Sequence, residues 1–161
     1  MAVFVLDTSA LLSGAPPSPS LGTLLLPQGV LSEMAREGRD RRALDYLLET
    51  GLKVMAVDPE ALAEAREAAR KTGDLPRMSE VDLEVLAAAI AHGGTILTDD
   101  YRIQNVATTL GIASRGHAQR GIREVREWTW VHRCKGCKRT YPEARAECDV
   151  CGSEVRTSRA R

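Results

Sequence analysis

The chain has 161 residues, room for one full domain and a small appendage, and its 43% hydrophobic content is ordinary for a globular protein. No apolar run approaches the roughly 18 residues of a membrane span. The opening MAVFVLDTSALL has no basic residue before its apolar start and meets Asp7 early, so a cytoplasmic protein without a signal peptide is expected. The net charge of zero hides two ends of opposite sign: residues 1–114 carry 10 Lys/Arg against 16 Asp/Glu, and residues 115–161 carry 12 against 6. An acidic body with a basic tail suggests an anionic partner held mainly by the tail, although a solvated basic linker would look the same.

In chain order, MAVFVLD is a β-branched and aromatic run that predicts a buried strand ending at Asp7. DTSALLS offers caps for a short helix, and the proline-rich GAPPSPS excludes regular structure. TLLLP predicts a second strand, and QGVLSEMAREG a helix carrying Glu33. Helical periodicity returns over residues 40–50, followed by a third strand at LKVMAV. DPEALAEAREAARKTG is a capped helix with Pro59 in its first turn, and SEVDLEVLAAAIAHGG a long apolar helix from Ser79 to a glycine pair. GTILTDD predicts a fourth strand and YRIQNVATTLG the helix after it, with a last strand starting near Arg123. Strands alternating with helices predict an α/β fold: a parallel sheet flanked by helices on both faces.

In open α/β sheets ligands gather at the carboxyl ends of the strands. Asp7 ends the first strand, Asp99 and Asp100 end the fourth, and Glu33 and Asp82 lie early in their helices. Each acid has a plain structural reading. Ser79-x-x-Asp82 is a capping-box pattern, Asp7 and Asp100 suit helix N-caps, and a glutamate on a helix is unremarkable. Together they would crowd negative charge that a divalent cation relieves. Hard oxygen ligands suit Mg²⁺ or Mn²⁺, which can activate water and clamp a phosphodiester.

The segments VFVLDTSALL, LPQGVLSEM, LPRMSEVDLEVLAAAIAHGG and ILTDDYRIQNVA, in that order, resemble the PIN-domain nucleases. The resemblance covers roughly residues 2–112. It implies an α/β domain whose acids bind Mn²⁺ or Mg²⁺ and hydrolyse single-stranded RNA. It assigns Asp7, Asp82 and Asp100 as metal ligands, Glu33 as ligand or positioner of water, and Asp99 as an outer helper. Thr8, Thr98 and Asn105 would supply supporting hydrogen bonds.

All four cysteines, Cys134, Cys137, Cys148 and Cys151, lie in RCKGCKRTYPEARAECDVCG, as two C-x₂-C pairs separated by ten residues. Two such knuckles suit one structural Zn²⁺ per chain, and so short a segment without an aromatic core needs the metal to fold. Disulfides are disfavoured in a chain without export signals. Lys135, Lys138, Arg139 and Arg145 decorate this ribbon and are candidates for phosphate contacts, which would weaken steeply with salt. Trp128, Trp130 and Tyr141 offer faces for unpaired bases, while WTWVH is equally a strand packing against its neighbours. The predicted organisation is a PIN-like domain at 1–112, a linker at 113–125 and a small β zinc ribbon with basic tail at 126–161.

A PIN-like body followed by such a ribbon resembles the archaeal endoribonuclease family of small-subunit rRNA 3′-end maturation. The resemblance implies cleavage of single-stranded precursor rRNA within a pre-ribosomal particle, with assembly-factor proteins as partners and no membrane. Toxin-type PIN ribonucleases acting on tRNA or mRNA share the acids but normally lack the ribbon. A non-catalytic RNA-binding assembly factor would need the ribbon but not the acids. Oligomeric state is not legible at this level.

Overall fold

In the computed structural model, residues 1–13, 16–36, 41–116 and 129–159 are described. They divide into two compact units, Met1–Arg126 and Glu127–Arg161.

The first unit is built on a parallel sheet of five strands: β1 (Val3–Leu6), β2 (Thr23–Pro27), β3 (Lys53–Met55), β4 (Thr95–Leu97) and β5 (Ser114–Arg115), in the order β3-β2-β1-β4-β5. Every pairing is parallel, with Val5 opposite Leu25 on one side and Ile96 on the other. Chain order therefore reverses between β1 and β4, which opens a crevice at the carboxyl ends of those two strands. The helices are α1 (Thr8–Leu12), α2 (Gln28–Arg36), α3 (Arg42–Glu49), α4 (Pro59–Thr72), α5 (Glu80–His92) and α6 (Tyr101–Thr109).

Apolar runs at the strands become the core because a sheet covered on both faces buries successive side chains. Val5, Leu6, Leu26 and Ile96 are all buried, as are Leu83, Val85, Leu86 and Ala87 to Ala89 along α5. This central helix packs against β1, β2, α2, α4 and α6. Its alanines let neighbours approach closely, and Gly93, at φ 64°, ends it in the left-handed conformation that glycine adopts without a Cβ clash. Pro27 ends β2, where a missing N–H does least harm to the ladder.

The predicted elements correspond to those observed, with shorter strands at LKVMAV and GTILTDD. The GAPPSPS stretch holds one 3₁₀ turn at Pro19–Leu21, capped by Ser18. A fifth strand at Ser114–Arg115 falls inside the stretch read as linker; two polar residues at a sheet edge carry no apolar signal. The strand expected near Arg123, and Trp128, lie outside the described residues.

The second unit is an antiparallel sheet, β7-β6-β8, of β6 (Trp130–Cys134), β7 (Thr140–Tyr141) and β8 (Val155–Arg159). Among the described residues its core is Cys134, Cys148 and Val155, with Tyr141 packed against them.

Candidate active site and cysteine centre

Asp7 follows β1 and begins α1, so the end of a buried strand carries its carboxylate into the crevice. It is 7% exposed. Its Oδ1 accepts the Thr8 N–H at 2.7 Å, and its Oδ2 accepts the hydroxyls of Thr98 at 2.7 Å and Ser9 at 3.0 Å. These bonds fix which lone pairs remain for another ligand. Thr8 also turns its hydroxyl to Glu33 Oε2, at 2.7 Å, joining α1 to α2.

From the neighbouring strand, Thr98 accepts the Asp100 N–H at 3.0 Å, and Ser9 accepts the Asp99 N–H at 3.0 Å. Asp100 caps α6 by accepting the Arg102 N–H at 2.8 Å. Asp82 and Ser79 form a reciprocal capping box at the start of α5, with bonds of 2.7 and 3.1 Å. The capping reading of these three aspartates is therefore correct in each case. It does not remove the other reading, because a carboxylate that accepts a capping N–H keeps further lone pairs for another ligand.

Burial pushes the Asp7 carboxyl above the ordinary aspartate value, its hydrogen bonds from Thr98, Ser9 and Thr8 oppose the rise, and the charge of Asp100 adds to it. Burial likewise lifts Asp82, with bonds from Ser79 opposing and the charges of Asp100 and Asp7 adding. The charge of Asp100 thus acts on both Asp7 and Asp82, and that of Asp7 on Asp82. An all-oxygen donor set under mutual repulsion fits a hard divalent cation such as Mg²⁺ or Mn²⁺, which keeps part of its water and needs few carboxylates.

Asn105 bonds to an acid that the sequence did not single out. Its amide donates at 2.7 Å to Asp74, and both residues are almost fully buried. Ser9, Arg102 and Glu84 were missed as well. Arg102 pairs with Asp100, and Glu84 on α5 accepts the Gly29 N–H at 2.8 Å near the start of α2. Their partners are distant in sequence or hidden inside ordinary cap patterns, so no local signal marks them.

In the second unit, the four cysteine sulfurs lie within 4.8 Å of one another, the one set gathered so tightly among the described residues. Cys134 and Cys148 are buried while Cys137 and Cys151 are exposed. Gly152 takes φ 70° in one knuckle, and Lys138 φ 66° after the other. The hydroxyl and backbone of Ser153 bring Cys151 down to about 6, toward the thiolate that metals bind. Two soft thiolate pairs converging on a point fit a tetrahedral metal centre. The Tyr141 hydroxyl lies 2.9 Å from Cys148 Sγ and donates to Asp149 at 2.6 Å, and its ring carries the Arg145 guanidinium at 4.5 Å. Lys135 pairs with Glu154 at 2.7 Å and Arg145 with Asp149 at 3.3 Å, both exposed pairs of small energetic weight. Lys138 donates to the Lys135 carbonyl at 2.7 Å.

The family described as the PIN domain of ribonuclease matches residues 4–91. Ribonuclease VapC1 of Thermoplasma acidophilum is 39% identical over 157 residues, covering 96% of this chain and 77% of that protein. Endoribonuclease Nob1 of Methanothermobacter thermautotrophicus is 36% identical over 171 residues, covering 98% of this chain and 93% of its own. The crystal structure of VapBC2 from Rickettsia felis bound to a promoter DNA fragment has the same fold over 71% of this chain and 98% of that chain, at TM-score 0.51 and 15% identity. The acids at the strand ends of the first unit and the four cysteines of the second thus stand in a chain that belongs to the PIN-domain ribonuclease family, a metal-dependent endoribonuclease carrying a four-cysteine ribbon.

Proposed function

We propose that this endoribonuclease cleaves single-stranded precursor small-subunit rRNA at its 3′ end, within a cytoplasmic pre-ribosomal particle. The observation that carries the reading is the similarity to an archaeal Nob1 over 98% of this chain and 93% of that protein, nuclease body and ribbon together. Asp7, Asp82 and Asp100 would hold Mn²⁺ or Mg²⁺, which supplies charge stabilisation and an activated water for phosphodiester hydrolysis. Glu33, which accepts the Thr8 hydroxyl, would serve as a further ligand or position the water. Thr98 and Ser9 fix the Asp7 carboxylate, and Asp99 stands at the rim as an outer helper. In the ribbon, Zn²⁺ on Cys134, Cys137, Cys148 and Cys151 holds the small sheet. Lys135, Lys138, Arg139 and Arg145 contact RNA phosphates, exchanging weak surface ion pairs for them.

A second reading has its own support: the VapC1 similarity extends over 96% of this chain, which favours a toxin-type ribonuclease acting on tRNA or mRNA. One experiment separates the two. Labelled RNA spanning the mature 3′ end of small-subunit rRNA is incubated with Mn²⁺ or chelator, beside total tRNA and an mRNA. A single Mn²⁺-dependent cut at the mature end, absent with Asp7→Asn, supports the rRNA reading. Preferred cleavage of tRNA or mRNA overturns it in favour of the second. Asp7→Asn should still bind RNA, since the change removes a negative charge and leaves the ribbon untouched.

A further inference from the structure

Arg102 is a cation paired directly with one of the candidate metal-binding carboxylates, Asp100. It follows Asp100 by two residues, in the first turn of α6. Its Nε donates to Asp100 Oδ1 at 3.2 Å and its Nη2 to Oδ2 at 3.0 Å, a two-pronged pairing that engages both oxygens. The third nitrogen, Nη1, donates at 2.7 Å to the Arg77 carbonyl, at the turn before α5. That second anchor lies outside the carboxylate and does not depend on it.

A carboxylate whose two oxygens serve a guanidinium cannot give the same lone pairs to a metal, so the two cations compete for Asp100. The competition is an open one. The side chains of Arg102 and Asp100 are 43% and 24% exposed, so water can replace either partner. Once a metal takes Asp100, the Arg77 carbonyl still holds the guanidinium at the edge of the cluster. The Nε–Nη2 edge then has lost its acceptor, and its fork matches two oxygens of a phosphodiester as well as it matched a carboxylate. A positive charge retained there also offsets the repulsion between an acidic crevice and polyanionic RNA.

We propose that Arg102 is a phosphate-contacting residue of the metal-loaded site, released to the RNA when the metal displaces it from Asp100. This rests on the ribonuclease reading for its substrate, but not on which RNA is cut. It predicts opposite signs for two affinities. A residue that merely supports the fold would weaken both.

The test uses the full chain, as wild type, Arg102→Ala and Arg102→Lys, with folding checked by circular dichroism. Mn²⁺ binding is measured by calorimetry without RNA. Binding of a single-stranded RNA is measured by fluorescence anisotropy in Ca²⁺ over a range of salt. Arg102→Ala should bind Mn²⁺ roughly two- to fivefold more tightly, the scale of one partly exposed ion pair. The same variant should bind RNA more weakly, with its salt slope reduced by about 0.7, one phosphate contact to a single strand. Arg102→Lys keeps the charge without the fork and should restore the salt slope, with Mn²⁺ affinity between the other two. Unchanged or weaker Mn²⁺ binding by Arg102→Ala overturns the competition, and an unchanged salt slope overturns the phosphate contact. Wild-type protein that binds no RNA would overturn the ribonuclease reading and the phosphate contact with it, while the Mn²⁺ titration still decides the competition.

Discussion

The Thr98 hydroxyl joins Asp7 to Asp100, donating to Asp7 Oδ2 at 2.7 Å and accepting the Asp100 N–H at 3.0 Å. Thr98 is fully buried, and it stands where β4 leaves the sheet beside β1. One atom thus sets the spacing of two carboxylates brought together from opposite ends of the domain. Thr98→Val keeps the shape but leaves a buried acceptor and a buried N–H each without this partner. A loss of about 1–3 kcal/mol of stability is expected, since unmade buried hydrogen bonds cost more than made ones contribute. Cleavage should fall at least about tenfold even at temperatures where the variant is folded, because small misplacements of catalytic groups are costly. Thr98→Ser retains the hydroxyl and should recover most of the activity. A serine variant as impaired as valine would show that the methyl group, not the hydrogen bonds, matters.

Asp7 and Asp82 both stand above 3.8, the ordinary aspartate value, chiefly through burial. Between that value and the raised ones, the folded chain holds more protons than the unfolded chain. Stability without added metal therefore falls as pH rises through this window, and these two groups detract from stability at neutral pH. Asp82→Asn can keep the Ser79 bond through its amide oxygen while removing the charge. It should raise the melting temperature of the metal-free protein at pH 7. The gain should shrink as pH falls toward the ordinary aspartate value, where the wild-type group is itself protonated. Mn²⁺ should stabilise wild type more than the variant if Asp82 is one of the proposed ligands, since a ligand of the folded state raises stability by mass action. A variant less stable than wild type across the whole pH range would count against charge crowding at this site.

The sequence makes strands legible where burial on both faces demands continuous apolar runs, as in Phe4 to Leu6 and Leu24 to Leu26. It makes helix starts legible through Asp7, Asp58, Ser79 and Asp100, whose side chains all accept backbone N–H groups at the caps. The same local chemistry left cap and ligand undecided for Asp7, Asp82 and Asp100, because one carboxylate serves both purposes. What was not legible depends on pairs far apart in sequence. Ser9 meets the Asp99 backbone across 90 residues, Gly29 meets Glu84 across 55, and Asn105 meets Asp74 across 31. No periodicity or spacing encodes such meetings; they follow only once the sheet order is known. The cysteines were the opposite case, since all four fall in the single stretch RCKGCKRTYPEARAECDVCG and their paired spacing is visible without the fold.

The Asp74–Asn105 pair gives a structural contrast to the cluster. Asp74 is 2% exposed and Asn105 3%. Replacing the amide by an apolar group of similar size, Asn105→Leu, removes a donor from a buried carboxylate. The expected cost is about 1–3 kcal/mol, or more where the carboxylate stays charged. Adding Asp74→Leu should recover part of that loss, since two apolar groups leave nothing unpaired. Denaturant unfolding of the single and double variants measures the coupling. Mn²⁺ affinity should stay near that of wild type in Asn105→Leu, and a large loss would return Asn105 to the metal site.

The ribbon should depend on its metal for folding while the parallel sheet does not. Its apolar core is Cys134, Cys148, Val155 and the packed Tyr141, and two of these four are proposed ligands. So little buried surface cannot offset the conformational entropy of ordering the described residues 129–159, whereas structural zinc contributes about 10–16 kcal/mol to comparable small sites. Elemental analysis should find one zinc per chain, lost in Cys148→Ser. In that variant, or after a strong chelator, amide hydrogen exchange should accelerate throughout β6, β7 and β8. Protection in β1, β2 and β4 should remain, because among the described residues the core around Val5, Leu6, Leu26 and Ile96 is built from the first unit alone. Unfolding of both units together on zinc loss would show that the ribbon supports the nuclease body, and it would tie cleavage itself to the cysteine centre.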